Sequence, residues 1–544
     1  MRARNRNVTP LATAEEAHVS RNVNTANWIA PSGAYNAAID MVDRNVAAGH
    51  GAKVAFIDPK RRLTYAELQD ACNRFANVLP RLGLARERRI VQIMLDTIDF
   101  PIVFWGAIKA GVVPVPLNTL LPDEAWLYMI EDARADAVVI SVELYERAAP
   151  MLAAITAKRH LHIIIAGRDG DDRVFGLDDL LANVEPTAQA ADTHADEVAF
   201  WLYSSGSTGM PKGTRHLHAS PMATAKLFAQ GVLGIKSDDV IFSAAKLFFA
   251  YGLGNGMSFP MSVGATTVLL PDRPTPDSVG AVLRAHHPTI FCGVPTLFAA
   301  MLASPALGKG AGSARLRLCT SAGEALPEDI GNRWQNVVGT EVIDGIGSTE
   351  MLHIFVSNQP GKVRYGSSGT PVPGYEARLL DDDGAPVQQG EIGELVIKGP
   401  SAAEGYWLQR EKSQKTFRGH WTHTGDKYRI DADGYYIYCG RTDDMFKVSG
   451  IWISPFEVES ALITHKAVLE AAVVGKEDAD GLMKPKAFVV LKPGVGNGEA
   501  LFEELKAHVK ATAGPWKYPR WIEARAELPK TATGKIQRFK LRDA

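Results

Sequence analysis

Cysteine is scarce. Cys72, Cys292, Cys319 and Cys439 are the four in 544 residues, and no two form a CxxC pair. That spacing excludes a disulfide-stapled scaffold and the common cysteine metal motifs. It suits buried thiols in a reducing compartment, so a cytoplasmic location is expected. Excess charge of either sign is also missing: 59 Lys and Arg face 61 Asp and Glu, a net −2. Neither nucleic acid nor an anionic membrane is therefore expected as a partner. The apolar stretch Phe100–Ile108 stops at Lys109, too short to span a bilayer. Arg2, Arg4 and Arg6 are not followed by the apolar core of a signal peptide before Asn22. No internal repeat appears. What remains is an ordinary globular composition, 46% hydrophobic and 22% charged, in a chain long enough for several domains.

Residues 1–34 are polar and aperiodic and read as a tail or strap. From Val54 the pattern alternates. Strands are predicted over 54–58, 89–95, 135–141, 160–166 and 197–205. A helix from Thr64-Tyr-Ala-Glu67, a capping box, to about Leu82 and a second over 100–110 lie between them. Strand–helix alternation predicts an α/β fold with largely parallel sheets covered by helices. After about Gly366, Gly, Pro and Asp turns separate short strands at 394–398, 421–424 and 435–438, predicting a small β-rich subdomain. From Arg441 a last α+β unit begins, with helices over 455–464 and 501–512 and strands over 468–475 and 486–491. Residues 441–544 hold 17 basic and 14 acidic side chains, net +3, so the other 440 carry −5. A solvated surface accounts for most such runs, and a polyphosphate ligand is the sharper reading.

The strongest chemical feature is Tyr203-Ser-Ser-Gly-Ser-Thr-Gly-Met-Pro-Lys-Gly213, directly after an apolar strand. Glycines let backbone N–H groups curl around an anion. Ser204, Ser205, Ser207 and Thr208 add hydroxyls, Gly206 and Gly209 the turns, and Lys212 a point charge suited to phosphate. It is not a Walker A loop, because no hydroxyl residue follows the lysine. Other motifs fail. Gly252-Leu-Gly254-Asn-Gly256 lacks the third glycine of a dinucleotide fingerprint, and Gly366-Ser-Ser368-Gly369-Thr370 lacks a nucleophile elbow. No metal-ligand spacing occurs. His216-Leu-His218 reads as surface or satisfied histidines.

The 203–213 loop resembles the signature of the acyl-adenylate-forming enzymes, and the likeness recurs in order along the chain. Asp344-Gly-Ile-Gly-Ser-Thr-Glu350, Thr424-Gly-Asp426, Gly440-Arg-Thr-Asp-Asp-Met-Phe-Lys-Val-Ser-Gly450 and Pro529-Lys-Thr-Ala-Thr-Gly-Lys535 resemble the family's later motifs. The resemblance implies ATP, Mg²⁺ and coenzyme A as ligands. It implies an adenylate-forming domain over 35–442 and a mobile C-terminal domain over 443–544. Thr349 would meet the nucleotide phosphate and Glu350 would hold Mg²⁺, a hard cation that suits a carboxylate. Ala322, Gly323, Glu324, Asp344 and Gly345 would line the adenine slot, and Asp426 and Arg441 would reach the ribose. Lys535 would be the catalytic lysine, offsetting the repulsion when a carboxylate attacks the α-phosphorus. Asp443 would be the hinge between two half-reactions, with Gly450 moving to the adenylate and CoA in the second.

The resemblance places the acid pocket at Phe249, Ala250, Tyr251 and Gly252, with Ile346, Gly347 and His353, and there aromatic walls with small residues between them suit a flat ring. The tracts Phe242–Asn255 and Asp344–Phe355 resemble benzoate- and 4-hydroxybenzoate-CoA ligases. That implies an AMP-forming aryl-CoA synthetase. The alternatives are an adenylation enzyme that loads a carrier protein in trans and a nucleotide-binding regulator without turnover. Monomer and homodimer both stay open.

Overall fold

A computed structural model describes residues 30–204, 210–304, 313–448, 451–479, 482–530 and 536–542. Two α/β layers dominate the larger part. One is a five-stranded parallel sheet in the order Val113–Pro116, Arg89–Ile93, Ala137–Ser141, His162–Ala166, Phe175–Gly176. The other has nine strands. Its middle, Val342–Gly347, Leu318–Ser321, Ile290–Gly293, Val240–Ser243, Thr266–Val268 and Val54–Ile57, is parallel. Antiparallel strands close both edges: Ile354–Ser357 and Thr370–Pro371 on one side, Arg62–Thr64 on the other.

Local sequence explains the elements between them. Thr64 caps the helix Tyr65–Arg81: its hydroxyl accepts from Glu67 N, and the Glu67 carboxylate accepts from Thr64 N at 2.8 Å. The helix Asp99–Lys109 is buried from Phe100 onward, as an all-round apolar helix must be. Among the described residues no helix is long and apolar enough to cross a membrane. All four cysteines are free and buried.

One part departs from the parallel expectation. The strand Val198–Ser204 does not run into a helix. It pairs in a hairpin with the antiparallel strand Lys212–Leu217, and Gly405–Tyr406 pairs along the other edge of Lys212–Leu217. The period-2 pattern is the same in both pairings, so sequence alone does not separate them. His216 is also neither at the surface nor satisfied. It is buried, stacked on Phe200 at 5.0 Å, and both ring nitrogens lack a partner. Burial lowers its pKa to about 3, keeping it neutral. His218 is buried and accepts from Ala37 N at 3.1 Å.

The β-rich part is antiparallel: Glu376–Leu380, Gly393–Lys398, Trp421–Ile430 and Phe417–Arg418, with Tyr436–Arg441 also on Trp421–Ile430. In the last unit Val468–Glu477, Met483–Leu491 and Trp521–Ala524 form a sheet. The helices Pro455–Ile463 and Glu499–Thr512 pack on it through Val458, Leu462, Leu505 and Val509.

Candidate active site

The site lies off the carboxyl ends of the parallel strands in the nine-stranded sheet, the edge at which open α/β sheets place their ligands. Ser243, Gly293, Ser321 and Gly347 end four neighbouring strands there. The hairpin brings its own end alongside. Ser204 and Lys212 face each other across it, and Ser204 Oγ is buried without a partner.

Lys212 is the centre of a charged cluster. Its Nζ donates to Tyr406 Oη at 3.2 Å and sits 4.3 Å from the centroid of the Tyr406 ring. Tyr406 Oη in turn donates to Glu350 Oε1 at 2.7 Å. Burial pulls the Lys212 ammonium below its ordinary pKa, while Glu350 pushes it back up. Tyr406 was not legible as a site residue. It sits in no motif, and only the pairing of Tyr406 with Thr214 carries it to Lys212.

A second pair follows from strand register. Asp426 and Arg441 are direct partners on adjacent antiparallel strands, and Arg441 Nη1 donates to Asp426 Oδ1 at 3.2 Å. Asp426 is the main cause that raises the Arg441 pKa, opposed by burial, with Glu350 adding to the rise. Asp344 ends up 3% exposed, and Leu326 N donates to its Oδ2 at 3.4 Å while Oδ1 has no partner. Burial pushes its carboxyl up to about 8.

An aromatic corner closes the other side. The His353 ring lies 4.4 Å from Phe259, 5.3 Å from Phe228 and 5.5 Å from Tyr251, centroid to centroid. His353 Nε2 donates to the Tyr251 carbonyl at 3.2 Å, leaving Nδ1 unpartnered. Burial lowers His353 to about 3, so the ring is neutral. Tyr251 Oη shares a 2.7 Å hydrogen bond with Thr320 Oγ1 at the adjacent strand end.

Two family models match the chain: "AMP-binding enzyme" over residues 43–407 and "AMP-binding enzyme C-terminal domain" over 457–535. The chain belongs to the AMP-binding enzymes. It is 57% identical to a benzoate–CoA ligase of Thauera aromatica over 94% of this chain and 96% of that one. It is 54% identical to a 4-hydroxybenzoate–CoA/benzoate–CoA ligase of Rhodopseudomonas palustris, over 94% of each. A solved benzoate CoA ligase from Burkholderia xenovorans LB400 matches with a TM-score of 0.86 at 50% identity, covering 93% of this chain and all of that one.

For this AMP-binding enzyme the positions expected from sequence distribute as follows. Ser204 pairs with Lys212, which reaches Glu350 through Tyr406, and Asp426 and Arg441 hold each other. Thr349 and Glu350 follow the strand Val342–Gly347, half-buried. Gly345 and Gly347 lie on that strand where it presses against Ile354–Ser357. A Cβ on Gly345 would stand 2.7 Å from Val356 O, and one on Gly347 2.5 Å from His353 O. Ile346 is half-buried between them. Ala322 is buried just past Ser321, Gly323 is exposed and Glu324 is half-buried. Phe249 is half-buried with its ring edge-on to Phe248, and Ala250 opens the short helix Ala250–Leu253. Ser205, Gly206, Ser207, Thr208, Gly209, Gly450 and Lys535 lie outside the described residues.

As a small residue between aromatic walls, Gly252 suggests room left for a ring. Instead its missing Cβ would stand 2.0 Å from the Lys246 carbonyl and 2.5 Å from that of Ala245. The glycine is required by a backbone crossing, and a side chain there would displace the helix rather than plug the pocket.

The donor set accommodates magnesium only in part. Glu350 offers a carboxylate, a hard oxygen ligand, and one of its oxygens is held by Tyr406. Among the described residues no three His, Cys, Asp or Glu gather to hold a metal alone. A magnesium ion at Glu350 would therefore take most of its ligands from phosphate and water.

The Asp344 carboxyl yields a prediction. With a pKa near 8 when folded and near 3.9 when unfolded, the folded state binds more protons across that window. Its contribution to stability falls as pH rises from about 4 to about 8. The melting temperature of the native enzyme should drop more between about pH 5 and pH 8.5 than that of Asp344→Asn. Parallel curves would show that Asp344 titrates normally.

Proposed function

We propose that this enzyme is an aryl-CoA ligase that activates benzoate or a ring-substituted benzoate, such as 4-hydroxybenzoate, with ATP. The acid carboxylate attacks the α-phosphorus, a P–O bond forms and pyrophosphate leaves. The thiol of coenzyme A then attacks the acyl carbon of the aryl-adenylate, forming the thioester and releasing AMP. The observation that carries this reading is the juxtaposition of an aromatic corner with a phosphate-type cluster on one sheet edge. Tyr251 is tied to Thr320 near the end of its strand and to His353, while Lys212, Tyr406 and Glu350 form a charged chain. The neutrality of His353 supports a ring site over a site for a charged tail.

Lys212, with Ser204 and the loop between them, is assigned to phosphate. Asp426, pre-oriented by Arg441, is assigned to the ribose hydroxyls, whose two donors one carboxylate can accept. Asp344, Gly345 and Ala322–Glu324 are assigned to the adenine slot. Bound Mg²⁺ at Glu350 would neutralise charge on the phosphates. The antiparallel partner of the strand Val342–Gly347 holds that segment rigid, so substrate groups are oriented before reaction rather than during it.

The test is kcat/KM, measured as CoA-dependent AMP release, for benzoate, 4-hydroxybenzoate, 2-aminobenzoate, cyclohexanecarboxylate and hexanoate. Aromatic acids are expected to lead, because a rigid ring forfeits little freedom, whereas each frozen rotor of an alkanoate costs about 0.5–1.5 kcal/mol. Tyr251→Ala should cost roughly 1–3 kcal/mol in kcat/KM for benzoate. A preference for hexanoate over every aromatic acid would refute the aryl assignment.

A further inference from the structure

Asp96 follows the strand Arg89–Ile93 of the five-stranded sheet, yet it reaches into the layer that carries the aromatic corner. It is 4% exposed. Leu247 N donates to its Oδ1 at 3.2 Å, and the Lys246 ammonium stands 3.9 Å from its Oδ2. Lys246 Nζ also donates to the carbonyls of Leu270, Pro271 and Asp272, the last at 2.7 Å. Residues 246–247 are thus gripped from two sides by charge-assisted hydrogen bonds, the stronger kind.

The grip passes directly to the ring site. Phe249 N donates to the Lys246 carbonyl at 3.0 Å, and Leu253 N donates to the Phe249 carbonyl at 2.7 Å. Gly252 is seated on the carbonyls of Ala245 and Lys246 with no room for a Cβ. The helix Ala250–Leu253, which bears Tyr251, therefore rests on the turn that Asp96 and Lys246 hold. A shift of that turn moves Tyr251 relative to Thr320 and His353, its partners from other elements.

We propose that Asp96 and Lys246 are positioning residues for the aromatic-acid site, locking the 245–249 turn and through it the placement of Tyr251 against the ring. The inference rests on the reading of Tyr251 as part of that site. Lys246 lies in the Phe242–Asn255 tract and Asp96 in no motif, and neither touches the Lys212–Tyr406–Glu350 chain in the contacts described, so the effect should fall on the acid and spare the nucleotide.

The experiment measures KM for benzoate and for ATP separately in Asp96→Ala, Asp96→Asn, Lys246→Met and Tyr251→Ala. Asp96→Ala should raise the benzoate KM by about tenfold or more and leave the ATP KM within about twofold, since misplacing one wall of a site by less than an ångström has effects of this size. Asp96→Asn keeps an oxygen for Leu247 N and should recover most of the loss. Lys246→Met should shift the benzoate KM in the same direction. If Asp96→Ala is insoluble, Lys246→Met decides by the same split. Equal rises in both constants, or a native benzoate KM in the deciding variant, would overturn the positioning role. A native benzoate KM in Tyr251→Ala would instead overturn the ring-site reading. A raised value there beside a native value in Asp96→Ala would sink this inference alone.

Discussion

Lys535→Ala should lower aryl-adenylate formation by at least about 10²-fold, the scale of losing one preorganised charge at a developing negative centre. It should leave thioester formation from a supplied aryl-adenylate largely intact. The expectation comes from the Pro529–Lys535 motif and from the charge problem of adenylation, in which a carboxylate approaches a triphosphate. Lys535 lies outside the described residues, but both flanks of its loop are tied down. Lys530 bridges to Ile536, Gln537 N donates to the Pro529 carbonyl at 2.8 Å, and Arg538 Nη2 donates to the buried Glu459 carboxylate at 2.6 Å. Pyrophosphate exchange reads the first half-reaction, and CoA-dependent AMP release from aryl-adenylate reads the second. Equal loss in both would show that Lys535 is not specific to adenylation.

Asp443→Pro is expected to abolish overall ligase turnover while at least one half-reaction survives. The residue is exposed and sits between two anchored neighbours. Thr442 N donates to the Gly425 carbonyl at 2.8 Å on the side of the larger part. Asp444 is held by Arg542 at 2.6 Å and by Arg538 at 3.6 Å on the side of the last unit. Arg542 also donates to the Asp443 carbonyl, so a rotation at Asp443, where the two sets of contacts meet, would release that bond. Proline fixes φ at that position and restricts Thr442 as well, so one geometry becomes inaccessible. Single-turnover assays of each half-reaction, beside the steady-state rate, decide the matter. An unimpaired steady-state rate would remove Asp443 from the hinge role.

By itself the sequence determined the fold class, the order of the elements and the family. Those signals are short-range. A capping box needs only Thr64 and Glu67, a half-buried strand only alternation, and a phosphate loop only closely spaced glycines and hydroxyls before Lys212. Asp426 and Arg441 were singled out by resemblance of the short motifs around them, and strand register pairs them. What tertiary structure decided is the set of partners distant along the chain. Tyr406 meets Lys212 across 194 positions and Asp96 meets Leu247 across 151, and no local pattern marks either one. The direction of the chain after Ser204 was also undecided locally, because alternation is the same in parallel and antiparallel pairs. Gly252 shows the difference most directly. Its place in an aromatic, small-residue tract suggested a ring's outline, whereas the constraint is two carbonyl oxygens on the neighbouring turn. The sequence names the groups that react, but close packing of backbone against backbone sets where they stand.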